Sequence, residues 1–258
     1  MDFTPRTAIV TGSDSGIGRA TAVALAAAGM DVGITWHRDE AGAEQTAEEV
    51  RTYDRKAVVA QLDTTDLEGC GAVVDSLVER LGGVDVFVNN SGTGANVPFL
   101  ETSLGTWRKV VATDLDGAFV CLQAAARHMV AAGRGGRLIA VTSVHEHLPR
   151  VGSSAYDAAK HGLGGLVKTI ALELGEHGIT ANSVAPGEIA TPMTGQEDEN
   201  PRRTHRPGDA REVASVIAFL ASPASAYVTG ASWVVDGGME QMGPQAGSHL
   251  TSDEWRRG

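Results

Sequence analysis

TGSDSGIG, at positions 11–18, follows directly on the short apolar run Thr7–Val10. An alanine-rich stretch at 16–28 continues from it and is typical of a helix that ends at Gly29. Glycines let the backbone turn sharply and approach a pyrophosphate closely, and amides at a helix N-terminus bind negative charge. The spacing is GxxxGxG, not the more common GxGxxG. A glycine loop between a first strand and a first helix predicts a nucleotide site at the start of the fold.

Apolar, β-branched runs alternate with helical segments along the rest of the chain. Such runs indicate parallel strands that are buried on both faces. The pattern therefore predicts an α/β fold in which residues 1–258 form a single domain: a doubly wound, Rossmann-like parallel sheet of about seven strands with helices on both faces. The predicted strands are 7–10, 32–36, 57–62, 84–88, 137–142, 180–184 and 233–235, and the predicted helices are 16–28, 41–53, 67–81, 104–131, 154–177 and 211–221.

Two segments depart from this alternation. Residues 188–209 are polar and lack helical or strand periodicity, which is typical of a substrate lid or of a disordered loop, and we predict a lid. Residues 241–258 form a polar tail that we expect either to fray or to pack on another subunit. The lid ends in a basic cluster that we interpret mainly as solvated surface: Arg202, Arg203, His205 and Arg206.

The net charge of −11 argues against nucleic acid or an anionic membrane as the main partner. The two cysteines, Cys70 and Cys121, lack CxxC spacing and form neither a disulfide framework nor a zinc site. The chain enters a strand almost at once and has no apolar run of about 18 residues. We expect a soluble cytoplasmic protein that acts on a small molecule.

Ser143 ends a predicted strand and is followed, twelve residues later, by Tyr156 and then Lys160. Tyrosine and lysine four positions apart share one helix face, with Cβ atoms ~5–6 Å apart. A lysine cation at that range favours phenolate over phenol, which makes the tyrosine a proton donor and acceptor near pH 7. The serine hydroxyl can hold a carbonyl oxygen beside it. Together with the glycine loop, these three residues predict a catalytic centre.

The chain resembles the short-chain dehydrogenase/reductase family over nearly its whole length. The matching pieces, in order, are TGSDSGIG at 11–18, Asp63, NNSG at 89–92, Ser143, YDAAK at 156–160 and Pro186-Gly187. The resemblance implies one doubly wound domain, NAD or NADP as cofactor, and a homotetramer or homodimer. It also implies reversible hydride transfer between the cofactor and a carbonyl carbon.

The resemblance further implies cofactor contacts along the chain. Those at the pyrophosphate are Gly12, Ser15, Ile17 and Gly18. Those at the adenine are Asp63 and the backbone of Thr64. Asn90 would support the central strand, while Ser91 and Gly92 would lie along the cofactor. Those at the nicotinamide and its ribose are Tyr156, Lys160, Pro186, Gly187, Ile189 and Thr191.

One position departs from the family pattern. The family usually has asparagine in an N-L-x-G context, and this chain has Asp114, in the sequence DLDG. In the family, that asparagine helps hold a water that links the lysine to solvent, largely through its backbone carbonyl. Because any residue supplies this carbonyl, we count Asp114 among the catalytic residues and expect its charge to raise the pKa of Lys160. The alternative is a purely structural residue at a helix kink.

The end of the second strand bears on the choice of cofactor. NAD enzymes of this fold tend to place an acidic residue there to bind the ribose 2′-hydroxyl, and this chain has Trp36. His37 and Arg38 follow, and a guanidinium suits phosphate geometry. These residues predict NADP(H) over NAD(H), with NAD(H) still possible. Alternatively, they pair with Asp39 and Glu40 in a solvated loop.

Substrate contacts are expected beside the catalytic centre. In the sequence SVHEH at 143–147, a strand-like extension would point both histidines the same way. HxH without further ligands does not indicate a metal site, so we predict no metal and interpret the histidines as contacts to substrate or as ordinary pocket polarity. The expected substrate contacts, besides Ser143, Tyr156 and the lid, are Thr93, Gly94, His145, His147 and Glu188.

The leading hypothesis is an NADP(H)-dependent carbonyl reductase or alcohol dehydrogenase for a small ketone, diketone or sugar-like polyol. The alternatives within enzymes are an NAD-dependent acetoin/diacetyl-type reductase, a sugar 1-dehydrogenase and a 3-oxoacyl-thioester reductase. Enoyl reduction is less expected, because family members that perform it usually space tyrosine and lysine more widely. A non-catalytic NADP(H) sensor is the alternative from another class, and the intact Ser143, Tyr156 and Lys160 count against it.

Overall fold

The computed structural model describes residues 3–191 and 206–241. Within them, seven strands form one sheet: β1 (Thr7–Val10), β2 (Asp31–Trp36), β3 (Ala57–Gln61), β4 (Val86–Asn89), β5 (Gly136–Val141), β6 (Ile179–Pro186) and, last in the chain, β9 (Ser232–Val235). A separate pair consists of β7 (Ile189–Ala190) and β8 (Gly208–Asp209). The helices are α1 (Gly16–Ala27), α2 (Glu40–Arg51), α3 (Gly69–Leu81), α4 (Leu104–Val111), α5 (Gly117–Ala132), α6 (Ser154–Leu174) and α7 (Ala210–Ala221).

All strand pairs of the main sheet are parallel, in the order β3-β2-β1-β4-β5-β6-β9. The order reverses between β1 and β4, and in doubly wound sheets ligands bind outside the carboxyl ends of the strands at this point. The predicted fold class, a doubly wound parallel sheet of seven strands, is confirmed.

The sheet is buried on both faces because successive side chains of each strand enter two different cores. In β4, Phe87 packs into the core formed with α3, α5 and α6, which includes Leu77, Leu122 and Leu163. Its neighbours Val86 and Val88 pack into the core formed with α1, α2 and α7, which includes Leu25 and Ile217. This explains why the strands read as continuous apolar runs instead of alternating ones.

The predicted single helix 104–131 is wrong in one respect. A π-helical segment, Ala112–Asp116, separates α4 from α5. A π segment widens the turn and is frequent at functional sites. No Gly or Pro within 112–116 announces it, and it turns the Asp114 side chain into the protein interior.

Other boundaries differ by a few residues. The predicted helix 154–177 ends at Leu174, and a 3₁₀ turn, Gly175–His177, follows. The short β7–β8 pair was not predicted and lies within the expected lid segment. Much of that lid and nearly all of the tail lie outside the described residues. The part of the lid concerned is 192–205, which contains Arg202, Arg203 and His205.

Both cysteines are free and buried. Within the described ranges, none of the helices is long and apolar enough to cross a membrane.

Candidate active site

The glycine loop adopts a conformation that its glycines make possible. Gly12 and Gly16 have φ values of 58° and 52°, in the left-handed region that residues with a Cβ rarely adopt. A Cβ at Gly18 would overlap the carbonyl oxygen of Gly12, so the first turn of α1 packs directly on the loop. The N-terminus of α1 therefore faces the space above the loop with its unpaired amides, where an anionic group is favoured.

NNSG at 89–92 ties the loop to the end of β4. The amide of Asn90 donates to the carbonyl oxygens of Thr11 (3.1 Å) and Gly12 (2.9 Å). In return, the hydroxyl of Thr11 accepts from the backbone N–H groups of Asn90 and Ser91, both at 2.9 Å. These bonds hold the ends of β1 and β4 together at the point where the strand order reverses.

A cavity of about 410 Å³ extends from this loop to the ends of β5 and β6. Ser143, Tyr156 and Lys160 lie at one end of it. Most of the predicted cofactor contacts also line it: Gly12, Ser15, Ile17, His37, Arg38, Thr64, Asn90, Ser91, Gly92, Pro186, Gly187, Ile189 and Thr191. A glycine cradle, a free helix N-terminus and a continuous cavity fit a dinucleotide cofactor that reaches from the loop to Tyr156.

Two predicted cofactor contacts lie outside this lining. Gly18 packs beneath the loop against Gly12. The carboxylate of Asp63 accepts from the N–H (2.9 Å) and hydroxyl (2.7 Å) of Thr65, which holds its pKa below the ordinary value. It also pairs with His37 at 3.5 Å, so one of the two basic residues predicted for a 2′-phosphate already has an acidic neighbour.

Asp14, which the sequence interpretation passed over, lines the same cavity. Burial raises the pKa of this carboxyl group, and the nearby charge of Asp39 adds to the increase. The sequence did contain a signal for this residue, because Asp14 lies inside the glycine loop, where any side chain would lie close to a bound nucleotide. Asp14 puts a carboxyl group near the cavity end that also holds His37 and Arg38.

The three predicted catalytic residues come from two neighbouring elements. Ser143 follows β5 directly and caps a 3₁₀ turn, Val144–Glu146, where its Oγ accepts from the N–H of His145 at 3.2 Å. Tyr156 lies in the first turn of α6, and Lys160 lies one turn later. The Nζ of Lys160 is 5.4 Å from the centre of the Tyr156 ring and donates to the carbonyl oxygen of Val141 at 3.3 Å.

Asp114 faces Lys160 directly. Its Oδ2 is 3.5 Å from Nζ of Lys160, and its Oδ1 accepts from the N–H of Thr93 at 2.7 Å. Both charged side chains are almost fully buried. Burial by itself lowers the pKa of Lys160, but the charges of Asp114 and Tyr156 more than offset it, and the net direction is upward, as expected. Burial raises the pKa of Asp114, and Lys160 opposes this.

The two histidines do not point the same way, because the chain after Ser143 forms a 3₁₀ turn instead of a strand-like extension. His145 lies edge-on to Tyr156, with ring centres 6.0 Å apart, and its Nδ1 is 2.9 Å from the carbonyl oxygen of Leu148. His147 turns toward β9, where its Nε2 is 2.9 Å from the hydroxyl of Ser232.

The remaining predicted substrate contacts flank the cavity. Thr93 follows Gly92, and its N–H is held by Asp114. Glu188 follows Gly187, is exposed, and its carbonyl oxygen accepts from the N–H of Gly208 in the β7–β8 pair. In the described parts of the chain, no group of three His, Cys, Asp or Glu side chains is arranged to hold a metal ion.

Residues 12–240 match the protein family described as Enoyl-(Acyl carrier protein) reductase. Over 245 residues, 92% of this chain and 97% of the relative, the chain is 49% identical to "Uncharacterized oxidoreductase YohF" of Escherichia coli (strain K12). It is 37% identical to "Glucose 1-dehydrogenase 2" of Bacillus subtilis (strain 168), covering 92% and 96% of the two chains. A solved structure of acetoin dehydrogenase YohF from Salmonella typhimurium superposes with a TM-score of 0.89 at 48% identity, covering 94% and 98%.

These matches and the fold show that the chain belongs to the short-chain dehydrogenase/reductase family. It is an NAD(P)-dependent oxidoreductase that interconverts carbonyl and alcohol groups.

The Asp114–Lys160 pair predicts a specific pH effect. Asp114→Asn keeps the side-chain size and backbone carbonyl but removes the carboxylate 3.5 Å from Nζ of Lys160. The pKa of Lys160, which the charge of Asp114 raises, should then fall, so that Lys160 loses its proton at lower pH. We expect the pH of half-maximal kcat/KM for alcohol oxidation to fall by about one unit. Steady-state rates across pH measure it.

Asp116→Asn is the matched control, because Asp116 lies two positions away on the same element but is exposed. This variant should leave the pH profile unchanged. An unchanged or upward-shifted profile in Asp114→Asn contradicts the assigned coupling.

Proposed function

We propose that this protein is an NADP(H)-dependent carbonyl reductase or alcohol dehydrogenase, with Ser143, Tyr156 and Lys160 as its catalytic residues. The observation that carries this proposal is that all three line the cavity that begins at the glycine loop. A group bound along that loop reaches them without leaving the cavity. The intact trio also counts against a non-catalytic NADP(H) sensor.

The nicotinamide cofactor, when bound, supplies the hydride for carbonyl reduction and accepts it for alcohol oxidation. In reduction, the hydroxyls of Ser143 and Tyr156 donate to the carbonyl oxygen and stabilise the negative charge that develops there. Tyr156 then gives its proton to that oxygen. The Lys160 ammonium, held by Val141 and Asp114, stabilises the phenolate that remains. Oxidation reverses these proton steps.

We further propose that the substrate is a small ketone, diketone, α-hydroxyketone or sugar-like polyol. Relatives named acetoin dehydrogenase and glucose 1-dehydrogenase support this, since acetoin is an α-hydroxyketone and glucose is a polyhydroxylated sugar. His145 is the proposed contact for a hydroxyl group of such a substrate. A carbonyl oxygen only accepts, so Nδ1 of His145 donates to Leu148, which leaves Nε2 as the ring nitrogen that can contact the substrate.

Thr93, Gly94 and Glu188 remain proposed substrate contacts, because Thr93 and Gly94 follow the cavity-lining Gly92, and Glu188 follows Gly187, which also lines the cavity. His147 is not retained as a substrate contact, because Ser232 engages its Nε2 on the far side of the turn.

One observation favours a second candidate, an NAD-dependent acetoin/diacetyl-type reductase or sugar 1-dehydrogenase. Asp14 lines the cavity together with His37 and Arg38. A carboxylate there would repel a 2′-phosphate and could accept from a ribose hydroxyl. We retain NADP(H) as the preferred cofactor because Arg38 offers a guanidinium at the same end.

We also propose a cytoplasmic homotetramer, with a homodimer as the smaller possibility. The two cysteines are free thiols, in keeping with a reducing compartment. Among the apolar side chains that are at least partly exposed within the described residues, two groups lie in different parts of the fold. One lies beside α5 and α6 and includes Leu67, Phe119 and Leu166; the other includes Phe219, Tyr227 and Val234. Two apolar surfaces on one chain suit a dimer of dimers in which each surface is covered by another copy of the chain.

Turnover tests the proposed function. Purified protein, assayed with both cofactors against ketones, diketones, α-hydroxyketones, sugars and acyl thioesters, should oxidise or reduce at least one class. Tyr156→Phe should lose roughly 10²–10⁴-fold in kcat, because the proton donor is gone, while the cofactor Kd changes little. Tyr53→Phe, at an exposed tyrosine, should behave as wild type. Absence of wild-type turnover with tight NADP(H) binding would favour the sensor, and a fully active Tyr156→Phe would refute the assignment.

Cofactor preference has its own test. We expect a higher kcat/KM with NADPH than with NADH, and Arg38→Asp should shift the ratio toward NADH by about tenfold or more, since it replaces a phosphate partner with a repelling charge. Asp14→Asn should shift it the other way. Arg108→Asp, at an exposed position in α4, is the control. A wild-type preference for NADH contradicts the NADP(H) assignment.

The assembly can be measured by size-exclusion chromatography with light scattering, where we expect four times the mass of one chain. Phe119→Asp should yield dimers, because it puts a charge on one of the two apolar surfaces. Lys109→Asp, at an exposed position in α4, should not alter the mass. A wild-type monomer would refute the proposed assembly.

A further inference from the structure

Glu146 is a buried carboxylate that none of the steps above uses. Only 6% of the residue is exposed, although it lies three positions from Ser143. Within 3–191 and 206–241, no Lys, Arg or His forms an ion pair with it. A charge removed from water without an ion pair needs strong hydrogen bonds to be tolerated.

Three hydroxyl groups supply these bonds. Oε2 of Glu146 lies 2.6 Å from Oγ1 of Thr142, 3.0 Å from Oγ of Ser183 and 3.1 Å from Oγ of Ser232. Thr142 follows β5, Ser183 lies in β6 and Ser232 begins β9. One carboxylate therefore joins three neighbouring strands of the sheet with charge-assisted hydrogen bonds.

The bond to Ser232 extends the network to His147. A carboxylate only accepts, so Ser232 gives its single proton to Glu146 and accepts from Nε2–H of His147 at 2.9 Å. This explains why His147 turns away from the cavity.

The carboxylate of Glu146 also packs against helix α6. A Cβ at Gly164 would overlap Oε1 of Glu146, so the glycine leaves the space that the carboxylate fills. Gly164 lies one helical turn beyond Lys160, on the helix that also carries Tyr156. Glu146 thus lies between the strand ends and the helix of the other two catalytic residues.

Glu146 and Ser143 belong to one turn. The N–H of Glu146 donates to the carbonyl oxygen of Ser143 at 2.8 Å and closes the 3₁₀ turn that Ser143 caps. Any shift of the Glu146 side chain relative to β6, β9 or α6 therefore moves the backbone that carries Ser143.

We propose that Glu146 is a positioning residue of the active site: its carboxylate, bound by the hydroxyls of Thr142, Ser183 and Ser232 and packed on α6, sets Ser143 relative to Tyr156 and Lys160. The inference rests on the proposed function, because it assumes that Ser143 holds the substrate oxygen.

The charge of Glu146 gives a second effect. Burial lowers the pKa of Lys160, and Asp114, Tyr156 and Glu146 all raise it. On the other side of the turn, His145 and Asp157 face each other at 3.8 Å, and His147 reaches Glu146 only through Ser232. Removing the Glu146 charge should therefore lower the pKa of Lys160.

Glu146→Gln tests the proposal. The amide carries no charge and has an N–H group in place of one acceptor oxygen, so the hydrogen bonds from the three hydroxyls lose their charge assistance. We expect kcat for carbonyl reduction to fall about 10–100-fold, with the NADPH Kd within about twofold, and the alcohol-oxidation pH profile to move to lower pH. Ser183→Ala and Ser232→Ala, which each remove one donor, should give smaller losses. Glu173→Gln, an exposed glutamate on α6, should match wild type.

Wild-type kcat and an unmoved pH profile in a folded Glu146→Gln protein would overturn the proposal. So would a loss confined to thermal stability, which is what a merely structural carboxylate predicts. If Glu146→Gln does not fold, the Ser183→Ala/Ser232→Ala double variant keeps the charge and removes two ties; unchanged kcat there overturns the proposal equally. Absence of wild-type turnover on every carbonyl would instead refute the proposed function itself.

Discussion

Every candidate functional segment of this protein follows from one constraint: the seven strands of the main sheet run parallel. Their carboxyl ends therefore lie along a single edge. The glycine loop follows β1, His37 and Arg38 follow β2, and NNSG spans the end of β4. Ser143 follows β5. The hydrogen bonds of Asn90 to Thr11 and Gly12 close this edge where the strand order reverses, and the cavity opens beside them.

Two buried carboxylates support the site by different physical means. Asp114 lies 3.5 Å from the Lys160 ammonium, so its charge is compensated by an opposite charge. Glu146 has hydroxyl donors instead and is held by Thr142, Ser183 and Ser232. The first arrangement raises the pKa of Lys160, and the second is our proposed determinant of the position of Ser143. In both cases, neighbouring groups stabilise a carboxylate that is buried next to the cavity.

Much of the fold and part of the site could be predicted from local pattern. The bounds of β1 were predicted to the residue, and those of α1 and α7 to within one residue. The signals for these bounds are apolar runs and helix-ending glycines, which lie next to the ends that they determine. The π segment at 112–116 and the 3₁₀ turn after Ser143 could not be predicted from local pattern. The first depends on how helices pack, and the second depends on hydroxyl groups of strands that are distant in the sequence. The histidines were misjudged for this reason, and Glu146 was overlooked between them.

The sequence by itself determined the order of the elements, the glycine loop and the spacing of Tyr156 and Lys160, because these depend on residues within a turn or two of each other. Only the tertiary structure decided which groups meet across the sheet edge. It brought Asp114 to Lys160 across 46 positions and Ser232 to Glu146 across 86. It also placed Asp14 beside the basic residues after β2. Contacts of this kind depend on how strands and helices pack, and no local period in the chain encodes them.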